Sequence, residues 1–197
     1  MTHFLRYSIS KTAIGIGLQN KMNAQTFLWP IAEQFPSLSM EQVHVHAWDL
    51  DLPPQPLDWE ILSEEETQRA RRFVFPRDRD HFVKAHSTMR RVLGSYSGIP
   101  AARISFSNNP YGKPQIQNVS MAEPLQFNLT HSAGTAVLAV ARRYELGVDI
   151  EVLRPIDKDV AEHHFSPDEL RTLQSLPKEE WLAGFFRCWT SKEALLN

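Results

Sequence analysis

The order of the elements predicts an α+β domain for this chain rather than a regular alternation of strands and helices. Helical patterns come first, a block of short strand patterns follows, and helical patterns return at the end. The chain has 197 residues, of which 42% are hydrophobic and 22% are charged. These values are typical of a folded globular protein, and the length suits one large domain or two small ones sharing a core.

The first clear strand begins at Val43, because the segment before it keeps neither a strand period nor a helix period. From this point apolar residues alternate with His44, His46 and Trp48. Two histidines on one strand face are potential metal ligands, but no third ligand is apparent. We therefore expect His44 and His46 on an exposed polar face.

Two helices are expected next. Ser63 and Glu66 have the spacing of a capping box, which predicts a helix through Phe73. A second helix is expected over 77–96, and Gly98 closes it. The apolar face of this helix consists of Phe82, Ala85, Met89, Leu93 and Tyr96.

Turn and cap residues define the remaining elements. Clusters of Asn, Pro and Gly separate four expected strands, over 104–107, 125–130, 136–141 and 146–151. Ser166, Pro167 and Glu169 form a capped helix start. The apolar residues that follow predict a last helix over 179–197.

Composition excludes several classes of protein. The net charge of −2 argues against a dedicated nucleic-acid binder. No run approaches the roughly eighteen apolar residues of a membrane span. The single cysteine, Cys188, excludes an internal disulfide, fits a reducing cytoplasmic compartment and is expected to be buried and inert.

One segment, from Arg69 to Arg91, is basic: it holds eight Lys or Arg residues against two Asp. Its aromatic residues Phe73, Phe75 and Phe82 fit the core pattern, so the segment lacks the exposed aromatics of a nucleic-acid surface. A phosphorylated small molecule or an acidic protein suits this segment better.

Asp149 and Glu151 are the sharpest chemical feature. Residues two apart on a strand share a face, so these carboxylates project together while Val148 and Ile150 point to the core. Carboxylates about 6–7 Å apart on a rigid strand suit Mg²⁺. The same residues also fit an ordinary strand whose polar face lies in water.

Lys192 and Glu193 form the second feature. Lys192 is a candidate phosphate ligand, and Glu193 is a candidate metal ligand or general base. The alternative is structural, because Thr190 and Glu193 also have capping-box spacing. Against that alternative, the helical pattern already runs upstream through Trp189.

A third feature joins a loop to a strand end. Gly112, Lys113 and Pro114 predict a tight loop that exposes one cation. His131 ends a strand between Thr130 and Ser132, where it can meet an anion. A serine nucleophile is not expected here, because Ser132 lacks the glycine-flanked elbow that exposes such a residue.

Taken together and in this order, five motifs resemble the Sfp-type 4′-phosphopantetheinyl transferases over residues 43–197. They are Arg69-Ala70-Arg71-Arg72-Phe73, Gly112-Lys113-Pro114, Phe127-Asn128-Leu129-Thr130-His131-Ser132, Gly147-Val148-Asp149-Ile150-Glu151 and Trp189-Thr190-Ser191-Lys192-Glu193-Ala194. The last two, with a gap of about forty residues, are the most specific.

The resemblance implies transfer of 4′-phosphopantetheine from coenzyme A to a serine of an acyl or peptidyl carrier protein, with release of adenosine 3′,5′-bisphosphate. It implies Mg²⁺ held by Asp149, Glu151 and Glu193, with Glu193 also acting as base. Lys192 and His131 would neutralise the pyrophosphate. The other implied contacts to coenzyme A are Arg69 at a nucleotide phosphate, Lys113 and Pro114 beside the adenine, and Thr130.

The resemblance also implies two similar α+β halves related by a pseudo-twofold, with coenzyme A between them. The first half would span 43–141 after an N-terminal extension over 1–42, and the second half, 142–197, would be incomplete. The implied partners are coenzyme A and the carrier protein, without nucleic acid or membrane, and the protein is expected to be a monomer.

Three residues depart from the family pattern. Asn197 stands where a lysine is usual, His86 where an arginine is common, and Thr130 where serine is commoner. Strands of the second half are also expected to be missing, which would expose sheet edges. The alternative function is therefore a truncated, inactive relative that only binds coenzyme A or a carrier protein.

Overall fold

The computed structural model describes residues 3–9, 12–18, 23–28, 37–117, 124–142 and 144–196, with the backbone alone for the first three ranges and for Leu196. The strands are β1 (His3–Ile9), β2 (Thr12–Leu18), β3 (Asn23–Leu28), β4 (Gln42–Asp49), β5 (Phe106–Asn108), β6 (Pro114–Ile116), β7 (Leu125–Ser132), β8 (Thr135–Arg142) and β9 (Leu146–Val152). The helices are α1 (Pro56–Ile61), α2 (Glu64–Arg71), α3 (Pro76–Ser97), α4 (Lys158–His164), α5 (Pro167–Gln174) and α6 (Lys178–Leu196). This mixture of helices and sheets confirms the α+β class.

Two sheets form the centre of the molecule. The larger has the order β3-β4-β8-β7, and its pairs are antiparallel except for the parallel pair β3-β4. The smaller has the order β1-β2-β9 and is antiparallel. In the smaller sheet, β2 from the N-terminal segment therefore pairs along one edge of β9.

The larger sheet is covered on both faces. One face packs against α3 in a cluster that includes Trp48 and Leu138. The opposite face packs against β9 in a cluster that includes Val45 and Val148. Strands β4 and β8 are consequently buried on both sides, as their nearly continuous burial shows.

The expectation of an exposed histidine face on β4 is wrong. His44 and His46 are 0% and 1% exposed because α3 covers that face of the sheet. Their ring nitrogens lie 2.6 and 2.9 Å from the hydroxyl of Tyr96, which α3 supplies. Burial and repulsion from His44 lower the pKa of His46 to about 3, so this histidine is neutral in the core.

The capped helices follow the sequence closely. Ser63 and Glu66 form the predicted capping box of α2, and Gly98 closes α3 with a φ of 71°. The expected apolar face of α3 is buried. Phe75, however, is 67% exposed and Phe73 37% exposed, so assigning them to the core was wrong. They precede α3 and lie outside its buried stripe.

Several elements lacked a sequence signal. Helix α1 begins in a proline-rich stretch (Pro53, Pro54 and Pro56), and β1 to β3 lie in the segment that shows no clear period. One edge of β9 is paired with β2. Within the described ranges, no helix is both long and apolar enough to cross a bilayer.

Glu66→Gln is expected to destabilise the folded protein at neutral pH and to have little effect in acid. The carboxylate accepts bonds from Arg90 Nε at 2.7 Å, the Ser63 amide at 2.9 Å and His86 Nδ1 at 3.0 Å. Burial alone would raise the pKa of Glu66, but these bonds and positive charges lower it to about 2. Its contribution of up to about 3 kcal/mol is therefore present at pH 7 and lost as pH falls from about 5 toward 2.

Urea denaturation of both proteins near pH 7 and near pH 3 measures this difference. Glu65→Gln is the matched control, because Glu65 is the exposed neighbour on the same helix turn. A free-energy difference of equal size at both pH values would contradict the prediction.

Candidate active site

Strand β9 carries the two carboxylates on one face. Val148 and Ile150 point into the core at 0% and 1% exposure, so Asp149 and Glu151 share the other face. Asp149 is itself only 8% exposed. The alternative of a polar strand face lying in water is therefore wrong for Asp149.

Strand β7 holds β9 and its carboxylates through alternate residues. Asn128 Oδ1 accepts the backbone amide of Val148 at 2.8 Å. The Thr130 hydroxyl donates to Asp149 Oδ1 at 3.3 Å, and the Ser132 hydroxyl donates to Glu151 at 3.4 Å. Asn128 and Ser132 were not expected to have a role, although the two-residue period of a strand places both on the face of Thr130.

The Asp149 carboxylate is electrostatically strained. Burial and repulsion from Glu151 and Glu193 raise the pKa of Asp149 to about 6. Its second oxygen, Oδ2, is buried and has no hydrogen-bond partner among the described residues. A hard divalent cation would relieve both conditions, so this donor set suits Mg²⁺ chemically. Among those same residues, however, no group of three or more His, Cys, Asp or Glu side chains is already gathered at metal-binding distances.

Helix α6 brings Glu193 beside β9. The helix runs unbroken from Lys178 to Leu196, and Thr190 Oγ1 donates to the Phe186 carbonyl at 2.9 Å inside it. The capping interpretation of Thr190 and Glu193 is therefore wrong, because no helix begins there. The Ala194 carbonyl abuts Gly147 so closely that a Cβ at 147 would lie 1.8 Å from its oxygen.

Lys192 lies on a different side of α6. Its ammonium donates to Glu169 Oε2 at 2.8 Å and lies 5.6 Å from the centre of the Phe165 ring. A cavity of about 590 Å³ between α5 and α6 is lined by Lys192 and Glu169. Cys188 lines the same cavity and is half-buried, so the expectation of a buried thiol is wrong.

His131 faces a second cavity, away from the carboxylates. Because residues alternate along β7, its ring points to the side opposite Thr130. The cavity of about 510 Å³ also has Arg69 in its wall. It is lined too by His86, which stands where the family commonly has an arginine, and by His81, which no sequence motif indicated. Partial burial and repulsion from His81 and His86 lower the pKa of His131. Arg69 and His131 are thus brought together, while Lys192 is in the other cavity.

A tight hairpin separates the two environments. Strands β7 and β8 are joined by Ala133 and Gly134, whose φ angles are 41° and 84°. Positive φ at both central residues is typical of a type I′ turn, which matches the twist of the two strands that it joins. Both residues line the cavity of His131, and Ser132 just before them donates to Glu151, so the turn lies between the basic cavity and the acidic face of β9.

The loop before β6 is anchored to β9. Asn109 Oδ1 accepts the backbone amides of Tyr111 and Lys113, both at 2.9 Å, which closes the predicted tight loop. The Lys113 ammonium donates to the Leu146 carbonyl at the start of β9, and burial lowers the pKa of Lys113. The expectation that the loop exposes this cation is therefore wrong, because Lys113 is half-buried against β9. Pro114 is exposed.

Comparison with protein families gives two consecutive matches. Residues 53–143 match the family described as "4′-phosphopantetheinyl transferase, N-terminal". Residues 145–196 match the "4′-phosphopantetheinyl transferase superfamily". The second match contains both Asp149 and Glu193, and the first contains Arg69 and His131.

Curated relatives agree with this assignment. The 4′-phosphopantetheinyl transferase HetI of Nostoc sp. is 37% identical over 168 residues, covering 82% of this chain and 71% of that protein. Sfp of Bacillus subtilis is 31% identical over 148 residues, covering 69% of this chain and 64% of that protein. AcpT of Salmonella typhimurium is 40% identical over 109 residues, covering 54% of each. The chain thus spans between about half and seven tenths of the lengths of these relatives. With two adjoining family matches and a HetI alignment of this extent, the chain belongs to the 4′-phosphopantetheinyl transferase superfamily.

Proposed function

We propose that this chain transfers the 4′-phosphopantetheine group of coenzyme A to a serine of an acyl or peptidyl carrier protein. The observation that carries the proposal is the buried Asp149 carboxylate of a family member, with one oxygen lacking a hydrogen-bond partner among the described residues. A buried anion of this kind is costly unless a cation meets it. Phosphoryl transfer requires positive charge against the phosphate oxygens, so the cost has a functional reason.

Asp149, Glu151 and Glu193 are the proposed ligands of Mg²⁺, which when bound supplies positive charge to the pyrophosphate oxygens. Their oxygen-only chemistry supports the assignment, as does the mutual repulsion that raises the pKa of Asp149. Hydrogen bonds from Thr130 and Ser132 hold two of the three carboxylates in place.

The proposed reaction begins with attack of the carrier serine oxygen on the phosphorus that bears the pantetheine arm. The bond from this phosphorus to the oxygen shared with the nucleotide phosphate breaks, and adenosine 3′,5′-bisphosphate leaves with the bonding electrons. Glu193, on α6 beside β9, accepts the serine proton. Lys192 is proposed to neutralise oxygens of the pyrophosphate as the bond breaks.

The nucleotide end of coenzyme A is proposed to lie at the cavity of Arg69 and His131. Five basic side chains of this cavity (Arg69, Arg77, His81, His86 and His131) suit phosphate oxygens and outnumber its one acidic side chain, Asp78. We therefore assign His131 to the nucleotide phosphates rather than to the scissile pyrophosphate, because its ring faces away from Asp149. Lys113 and Pro114 are proposed to border the adenine.

The direct test incubates the chain with coenzyme A, Mg²⁺ and a panel of apo-carrier proteins, which are then weighed by mass spectrometry. A gain of one phosphopantetheine group on a carrier is expected. Folded protein that modifies none of the carriers would overturn the proposal. If that protein still binds coenzyme A in calorimetry, the binding-only alternative replaces it.

Arg69→Ala is expected to raise the KM for coenzyme A about tenfold or more with little change in kcat. A charged hydrogen bond to phosphate contributes about 1.5–3 kcal/mol, and a contact equal in ground and transition states changes KM alone. Steady-state kinetics with varied coenzyme A measures the effect. Arg71→Ala is the matched control, since Arg71 is exposed on the same helix and does not line the cavity. Equal effects of both substitutions, or a change confined to kcat, would contradict the prediction.

A further inference from the structure

The ion pair with Glu169 holds the Lys192 ammonium against α5. The proposed reaction needs this ammonium at the pyrophosphate of coenzyme A. Lys192 Nζ lies 2.8 Å from Glu169 Oε2, with the two side chains 38% and 32% exposed. On an α-helix, residues two apart are related by a rotation of about 200° about the helix axis, so they point in nearly opposite directions. Since Ala194 faces β9, Lys192 projects from nearly the opposite side of α6, toward α5.

Glu169 is itself held rigidly. It is the third residue of α5, and its Oε2 accepts the Ser166 backbone amide at 2.7 Å. The Ser166 hydroxyl in turn accepts the Glu169 amide at 3.3 Å, which completes a capping box. One oxygen of Glu169 therefore serves both the cap of α5 and the ammonium of Lys192. The hydrogen bonds and positive charge around it lower the pKa of Glu169 to about 2 despite the opposing effect of partial burial.

We propose that Glu169 is a positioning residue. It holds the ammonium of Lys192, a residue of α6, against α5 and competes with the phosphates of coenzyme A for that ammonium. The inference rests on the proposed function, because it takes Lys192 as a phosphate ligand. Binding of coenzyme A then requires Lys192 to leave or share the Glu169 oxygen. The capping box keeps Glu169 in place, so the competing anion does not move with the lysine.

Glu169→Gln separates this role from capping. Glutamine at the third helix position still accepts the Ser166 amide, so the cap survives while the charge that holds Lys192 is removed. An exposed ion pair of this kind contributes about 0.2–1 kcal/mol, so its loss should tighten coenzyme A binding by about 1.4- to fivefold. The readout is the Kd for coenzyme A by calorimetry, which needs no turnover.

Two further variants complete the test. Ser166→Ala weakens the cap and leaves the ion pair, so it is expected to lower the Tm without changing the Kd. In a Lys192→Ala background, Glu169→Gln is expected to leave the Kd unchanged, because the competing anion then has no lysine to hold. A decrease in Kd confined to the background that retains Lys192 supports the proposal.

An unchanged or increased Kd for Glu169→Gln, or the same change with and without Lys192, overturns this proposal. Its failure is distinct from failure of the proposed function. If the protein binds coenzyme A but transfers its arm to none of the carriers, the proposed reaction is overturned. The Kd measurements with and without Lys192 then still decide the role of Glu169. Absence of coenzyme A binding by the folded protein overturns both.

Discussion

Asp149→Asn is expected to abolish phosphopantetheine transfer and, in the same protein, to raise the stability of the fold. The substitution removes the charge of one of the three carboxylates proposed to serve the pyrophosphate. Electrostatic stabilisation of this kind contributes several kcal/mol to a transition state, so the rate should fall about a thousandfold or more. The side chain keeps its shape, and the Thr130 hydroxyl can still donate to the amide oxygen in the position of Oδ1.

The gain in stability follows from the cost of the native charge. Asp149 is buried, and Glu151 and Glu193 repel it, so its pKa rises from the ordinary 3.8 to about 6. A carboxyl group with a folded pKa above its unfolded value favours folding when protonated. The charged form therefore destabilises the fold progressively as pH rises from about 4 through about 6. The variant is relieved of this cost at neutral pH, but it gains little near pH 4.

Carrier modification by mass spectrometry and thermal denaturation with a chelator present measure the two effects. Glu162→Gln is the matched control, because it also exchanges a carboxylate for an amide, but at an exposed position on α4 outside the site. It should change neither the rate nor the Tm appreciably. A variant that retains transfer would refute the role of Asp149. A variant that is inactive because it unfolds would refute the assignment of strain to the native carboxylate.

The elements with local signals were predictable from sequence. Ser63 and Glu66 cap α2 through contacts three residues apart, and the apolar stripe of α3 needs only the helical period. The shared face of Asp149 and Glu151 follows from strand alternation alone. These predictions succeeded because the physical cause lies within a few residues of the pattern.

The failures concern contacts between segments distant in sequence. His44 and His46 look like a solvated strand face until Tyr96, about fifty residues away, covers them. The pairing of Lys192 with Glu169 likewise depends on how α5 meets α6. By contrast, the opposite orientations of His131 and Thr130 were available from strand alternation. The family resemblance grouped the functional residues into one site without assigning them to strand faces.

Gly147→Ala is expected to damage both the fold and the site, because nothing larger than hydrogen fits where α6 crosses β9. A Cβ at this position would lie 1.8 Å from the Ala194 carbonyl oxygen and 2.8 Å from its carbon. Both are backbone atoms, so a rotamer change cannot relieve the clash. Either the helix or the strand must move, at a cost of about 1–3 kcal/mol or more.

That movement would also separate the proposed chemical groups. Gly147 is two residues from Asp149 on β9, and Ala194 is next to Glu193 on α6. The contact therefore determines how far Glu193 stands from the carboxylates of the strand. We expect a lower urea midpoint, and a transfer rate that falls further than the unfolded fraction explains.

Gly184→Ala provides the matched control within α6. A Cβ there would lie 2.3 Å from Leu176 Cδ1 and 3.1 Å from Leu173 Cδ1, which are the ends of flexible side chains. Repacking of these leucines offsets the gain of about 1 kcal/mol that alanine brings to a helix interior, so the net change should be small. If Gly147→Ala were as stable and active as Gly184→Ala, α6 could not contact β9 through the backbone of Ala194. The close approach of helix and strand would then not be what positions Glu193.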